Sequence, residues 1–196
     1  MSASPRAEVK ERTNGPLSEA IPWLVLVYRV PSEPTRLRAA VWRRLKSLGA
    51  IYLQNSVAAL PADPKAERAL RALRNDIVQN MSGRAQLLSS VAVVGEADLV
   101  TEYNTARNDE YDEILDKCQD FLTEIEKETA ASHFTYGELE ENEEDLTKLL
   151  RWHEKVKQRD VFGASGARAV EEALEGCRNA LDEYARRVYE VDSAAY

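Results

Sequence analysis

Between positions 34 and 49 the chain carries Arg36, Arg38, Arg43, Arg44 and Lys46 and not one acidic residue. Cationic side chains clustered this way neutralise phosphate, so the segment reads as a DNA-binding edge. Arg68, Arg71 and Arg74 repeat the pattern more weakly, diluted by Glu67 and Asp76. The competing reading is that the arginine stems cover apolar surface and their heads pair with acids elsewhere in the chain. A smaller candidate is Gly163-Ala164-Ser165-Gly166-Ala167-Arg168. There Ser165, Gly166 and Arg168, at a helix start, can offer N–H groups and a charge to a tetrahedral oxyanion. The segment lacks the Gly-Lys-Ser/Thr ending of a phosphate-binding loop. An ordinary Ser-capped turn is its plainer reading.

Other chemistry is scarce. His133 and His153 are the only histidines, and neither has a His or Glu three or four residues before it. The metal-ligand spacings of helical sites are therefore missing. Cys118 and Cys177 stand 59 residues apart on apolar stripes, which rules out a disulfide scaffold or a zinc cluster and predicts inert buried thiols. The acidic run Glu138-Leu139-Glu140-Glu141-Asn142-Glu143-Glu144-Asp145 suits a solvated helix start, since one helix face rarely converges on a cation. These residues predict no catalytic group, no metal and no cofactor. The chain is not expected to be an enzyme.

The elements that must carry these residues follow from apolar spacing. Trp23-Leu24-Val25-Leu26-Val27-Tyr28, bounded by Pro22 and Pro31, predicts a buried strand. Leu37, Val41, Leu45 and Leu48 follow helical spacing up to Gly49, with the arginine heads outside that stripe. Trp42, adjacent to Val41, is expected to pack. Residues 50–54 and 56–60 read as strands around Asn55, Ala66, Leu70, Leu73 and Ile77 as a second helix, and residues 85–94 as another strand. The order strand, helix, strand, strand, helix, strand predicts an α+β fold, a ferredoxin-like βαββαβ antiparallel sheet.

Beyond Gly95 three stripes predict three long helices in a hairpin or bundle. They run Tyr111 to Ile125, Leu139 to Val156 and Val170 to Val188. The expected organisation is a flexible leader over 1–20, a ferredoxin-like domain over 21–95 and a helical extension over 96–196. Open sheet edges and long stripes favour a homodimer.

The 196 residues are 44% hydrophobic and 31% charged, with net charge −8. Residues 1–94 hold 14 Lys+Arg against 7 Asp+Glu, a balance of +7, while residues 95–196 hold 12 against 27, a balance of −15. An acidic chain with a basic half keeps nucleic acid in play. No apolar run approaches the roughly 20 residues of a membrane span, and no apolar stretch precedes Ile21 as a secretory signal would require. A cytoplasmic protein without a membrane partner is expected.

The pattern Val41-Trp42-Arg43-Arg44-Leu45, Leu48-Gly49-Ala50, Asn55-Ser56-Val57 and Leu60-Pro61 resembles the N-terminal domain of the ChrB family of chromate-resistance regulators. Tyr103-Asn104-Thr105-Ala106-Arg107 with Tyr111, and Asp160-Val161-Phe162-Gly163, look like that family too. The likeness covers roughly residues 22–165. It implies a ferredoxin-like domain with appended helices, a role in transcriptional control, DNA as a partner, and chromate or another oxyanion as a signal. Longer members continue into a C-terminal domain that this sequence does not include. The sheet order is also similar to that of small CRISPR-associated nucleases. Their expected strand-end Asp has no counterpart in Tyr28-Arg29-Val30-Pro31-Ser32, so cleavage through a metal is disfavoured. The alternative to the DNA-binding reading is a protein–protein interaction or dimerisation module that binds no DNA.

Overall fold

The computed structural model describes residues 20–194. The leader expected over 1–20 lies outside them except for its last residue. The elements run β1 (Pro22–Arg29), α1 (Arg36–Leu48), β2 (Ile51–Gln54), β3 (Val57–Pro61), α2 (Pro64–Gln79), β4 (Arg84–Val91), α3 (Glu96–Ala130), α4 (Tyr136–Lys157) and α5 (Ala167–Ala194). The four strands form one antiparallel sheet in the order β2-β3-β1-β4. The protein is thus a mixed α/β fold, mostly helical.

Strand alternation sets what each sheet face meets. Leu24 pairs with Leu60 and Leu26 with Ala58, which puts these four side chains on one face. They share a buried core with Val41 and Leu45 of α1 and Leu70, Leu73 and Ile77 of α2. On the opposite face Trp23 is 2% exposed. Its ring meets those of Tyr103 and Phe162 at centroid distances of 6.0 and 5.9 Å.

The ends of the two short helices are chemically specified. Asp63 caps α2, its carboxylate accepting from Lys65 N at 3.0 Å and Ala66 N at 2.8 Å, with Pro64 leading the first turn. Those two backbone donors hold the Asp63 carboxyl below its ordinary pKa. Gly49 ends α1 in the left-handed region, at φ 78°. A Cβ there would stand 2.8 Å from both Arg107 and Arg159, so backbone conformation and crowding both demand glycine.

The long helices enclose a second core. Tyr111, Ile114, Cys118, Phe121 and Ile125 of α3 meet Leu139, Leu146, Leu149 and Val156 of α4 and the stripe from Val170 to Val188 on α5. Earlier residues of α3, Leu99, Val100, Tyr103 and Ala106, belong to the sheet's core instead. One helix of 35 residues therefore contributes to both cores. Among the described residues no helix is long and apolar enough to cross a membrane.

Two details differ from the sequence reading. The last strand was expected to reach residue 94, yet β4 stops at Val91, and Val93 and Val94 are almost fully exposed. Its ladder partner begins at Pro22, opposite Val91, so nothing remains for residues 92–94 to pair with. Trp42 does not pack. Its side chain is 49% exposed, because each helical residue turns about 100° from its neighbour and adjacency to Val41 does not share Val41's direction.

Candidate nucleic-acid interface

Helix α1 separates its two chemistries cleanly. Val41 and Leu45 are fully buried, whereas Arg36, Arg38, Arg43, Arg44 and Lys46 are all exposed. Seven residues make nearly two turns, so Arg36 and Arg43 lie on one line roughly 10 Å apart along the axis, with Lys46 close beside it. Arg43 Nε donates to Ala39 O of its own helix at 3.3 Å, and Arg38 Nη2 to Ser32 O at 3.2 Å. Lys46 Nζ sits 5.5 Å from the centre of the Trp42 ring. Among the described residues no acid pairs with Arg36, Arg38, Arg43 or Lys46. Arg44 differs, because its guanidinium meets Asp76 of α2 at 2.5 Å. The Asn80 amide, and after it the Arg44 charge, hold the Asp76 carboxyl below its usual range.

The C-terminal end of α1 is anchored by two further arginines: Arg107, quoted from the sequence only within a family motif, and Arg159, which the sequence did not single out. Arg107 Nη1 donates to Gly49 O and Arg159 Nη1 to Ser47 O, each at 2.9 Å. Positive groups at the carbonyl end of a helix complement its dipole. Glu110 joins them, 2.9 Å from Arg107 Nε and 3.0 Å from Arg159 Nη2. Arg107 is 3% exposed and lies over the Tyr103 ring at 4.7 Å, while the Tyr103 hydroxyl donates to Arg159 O at 2.7 Å. Burial pushes the Tyr103 hydroxyl's pKa up, so it stays a protonated donor. The basic helix is thereby locked to both α3 and the segment after α4.

A cleft of about 300 Å³ opens beside this lock. Trp42, Arg43 and Lys46 of α1 line one wall, and Trp152, Lys155 and Arg159 the other. Trp152, Lys155 and Arg159 also escaped the sequence reading. The available signal was the charge pattern of α4 and the residues just after it, acidic from Glu138 to Asp145 and then basic, with Lys148, Arg151, Lys155, Lys157 and Arg159 against a single Glu154. Summing charge over residues 95–196 concealed it.

The loop before α5 has its donors engaged within the chain. Asn108 Oδ1 accepts from Gly166 N at 2.9 Å and from the Ser165 hydroxyl at 3.5 Å. Asp160 Oδ1 accepts from Gly163 N and Ala164 N. Arg168 is 88% exposed at its side chain and paired with Glu172 at 2.8 Å.

The remaining titratable candidates are dispersed. His133 meets Glu128 at 3.2 Å, and His153 lies 6.2 Å from the Tyr111 ring, where burial lowers its pKa. Cys118 and Cys177 are buried free thiols, with Cys177 Sγ donating to Cys118 O at 3.7 Å. No group of three or more His, Cys, Asp or Glu among the described residues is placed to hold a metal ion.

Comparison with known proteins returns one assignment. The family model described as "Protein ChrB, N-terminal" matches residues 38–195. No curated protein and no solved structure matches the chain.

Proposed function

The chain belongs to the ChrB N-terminal family, and from that premise we propose that it is a DNA-binding regulator, or an accessory of one, that holds phosphate on the outward face of α1. The family ties it to chromate resistance. The observation that carries the reading is the run of exposed cations, Arg36, Arg43 and Lys46, free of acidic partners among the described residues on a chain of net charge −8. Self-neutralisation would have been easy on such a chain, and on this face it does not occur. Phosphate contacts of this kind fix position on the backbone and carry no base code by themselves.

The ferredoxin-like class is part of the same proposal. It is supported by the element order βαββαβ and by the central pair β3-β1 flanked by β2 and β4. The role proposed for the protein is binding, carried by the cations of α1.

A gel-shift on the DNA upstream of the protein's own gene, with and without chromate, tests this. We expect retardation by the unmodified protein and its loss in Arg36→Glu with Arg43→Glu, both exposed positions where reversal costs little stability. No retardation at micromolar protein and low salt would contradict the proposal and favour the interaction-module reading.

A further inference from the structure

The geometry points to a stacking slot for one unpaired nucleobase in the cleft between α1 and α4. This rests on the nucleic-acid reading of α1 and specifies the form of nucleic acid that the site takes. Trp42 is the starting observation. An indole left 49% exposed on a helix whose Val41 and Leu45 are fully buried presents a large flat ring to solvent. Its neighbours are cations, with Lys46 Nζ 5.5 Å from the ring centre and Arg43 in the same wall. The facing wall brings a second indole, the half-buried Trp152, together with Lys155.

Charge and size narrow the occupant. Glu110, the one acid in the lining, is already neutralised by Arg107 and Arg159. Arg43, Lys46 and Lys155 therefore remain to attract an anion, and the two indoles to receive a flat ring. Flat rings joined to a phosphate chain are what single-stranded nucleic acid offers, and base–aromatic stacking with a basic groove is how such strands are held. The cleft's 300 Å³ falls at the small end of the roughly 300–1,000 Å³ typical of ligand sites, enough for one ring system and too little for a duplex. Bases within a duplex also cover one another's faces and cannot stack on Trp42. The slot thus selects unpaired or extruded bases, while the Arg36–Arg43 line takes phosphate from either form.

The test compares a fluorescent dT oligonucleotide of about 12 nucleotides with a duplex of equal length, by anisotropy at low salt, for the unmodified protein, Trp42→Ala, Trp42→Phe, and Arg36→Glu with Arg43→Glu. Trp42→Ala should weaken dT binding roughly 5- to 150-fold, the range of one lost stack, and leave the duplex within about twofold. Trp42→Phe, which keeps an aromatic face, should retain most of the dT affinity. The arginine double variant should weaken both ligands. Equal dT affinity in Trp42→Ala and the unmodified protein, or an equal loss for dT and duplex, would overturn the slot while leaving the nucleic-acid reading in place. If the unmodified protein holds neither ligand, that broader reading fails first and the slot with it.

Discussion

Arginines on α1 and arginines on α5 live in opposite circumstances, although both helices expose them to water. On α5 each has a glutamate one turn away: Arg168 meets Glu172 at 2.8 Å, Arg178 meets Glu175 at 3.1 Å, Arg186 meets Glu183, and Arg187 reaches Glu183 and Glu190. On α1 there is no acid from Arg36 to Leu48, so only Arg44 finds one, by crossing to α2. Exposed pairs of the α5 kind stabilise little, so their main effect is to remove charge from the surface rather than to hold the helix. The difference teaches that net charge is a poor guide to what a surface can bind. Local spacing of acids at three or four residues decides which cations remain available. A third class sits between the two, since buried Arg107 and half-buried Arg159 hold backbone carbonyls at the end of α1 in place.

That third class gives the largest expected effect. Glu110→Ala would leave the Arg107 guanidinium, 3% exposed, without its acid. Removing one partner of a buried ion pair typically costs about 3–5 kcal/mol. Urea unfolding should show a loss of that order; a loss below about 1 kcal/mol would show that the lock does not hold α1.

The smallest effect is expected at Trp42, in the cleft that opens beside this lock. Trp42→Ala should change thermal stability by less than about 0.5 kcal/mol, because a half-exposed ring leaves no sealed cavity. A loss near 3 kcal/mol, the value for a buried indole, would place the ring in the core and close the cleft.

Much of this was legible in the sequence. The stripe Leu37, Val41, Leu45 and Leu48 located α1 and left its cations outside, and Gly49 marked its end, because helical periodicity and caps are local signals. The same is true of the stripes on α3, α4 and α5. Trp42 was misjudged because adjacency was read in place of angular position. The Arg107–Glu110–Arg159 lock was not legible, since Arg107 and Glu110 look like any surface pair at spacing three, and Arg159 joins from 49 residues beyond Glu110. Its burial exists only once α3 crosses the end of α1. The Trp152 and Lys155 wall was hidden by the acidic start of its own helix.

The central claim is that α1, and not basic charge in general, carries nucleic-acid binding. The most direct measurement is duplex affinity against salt concentration for the unmodified protein, for Arg36→Glu with Arg43→Glu, and for Arg168→Glu with Arg178→Glu. Both double variants change net charge by the same amount, so any difference between them reports position. Contacts through Arg36, Arg43 and Lys46 predict a slope of log affinity on log salt near −3, at about −0.9 per phosphate. The α1 variant should flatten that slope by about 2, and the α5 variant should keep it. Equal losses in the two variants, or an unchanged slope in the α1 variant, would contradict the claim.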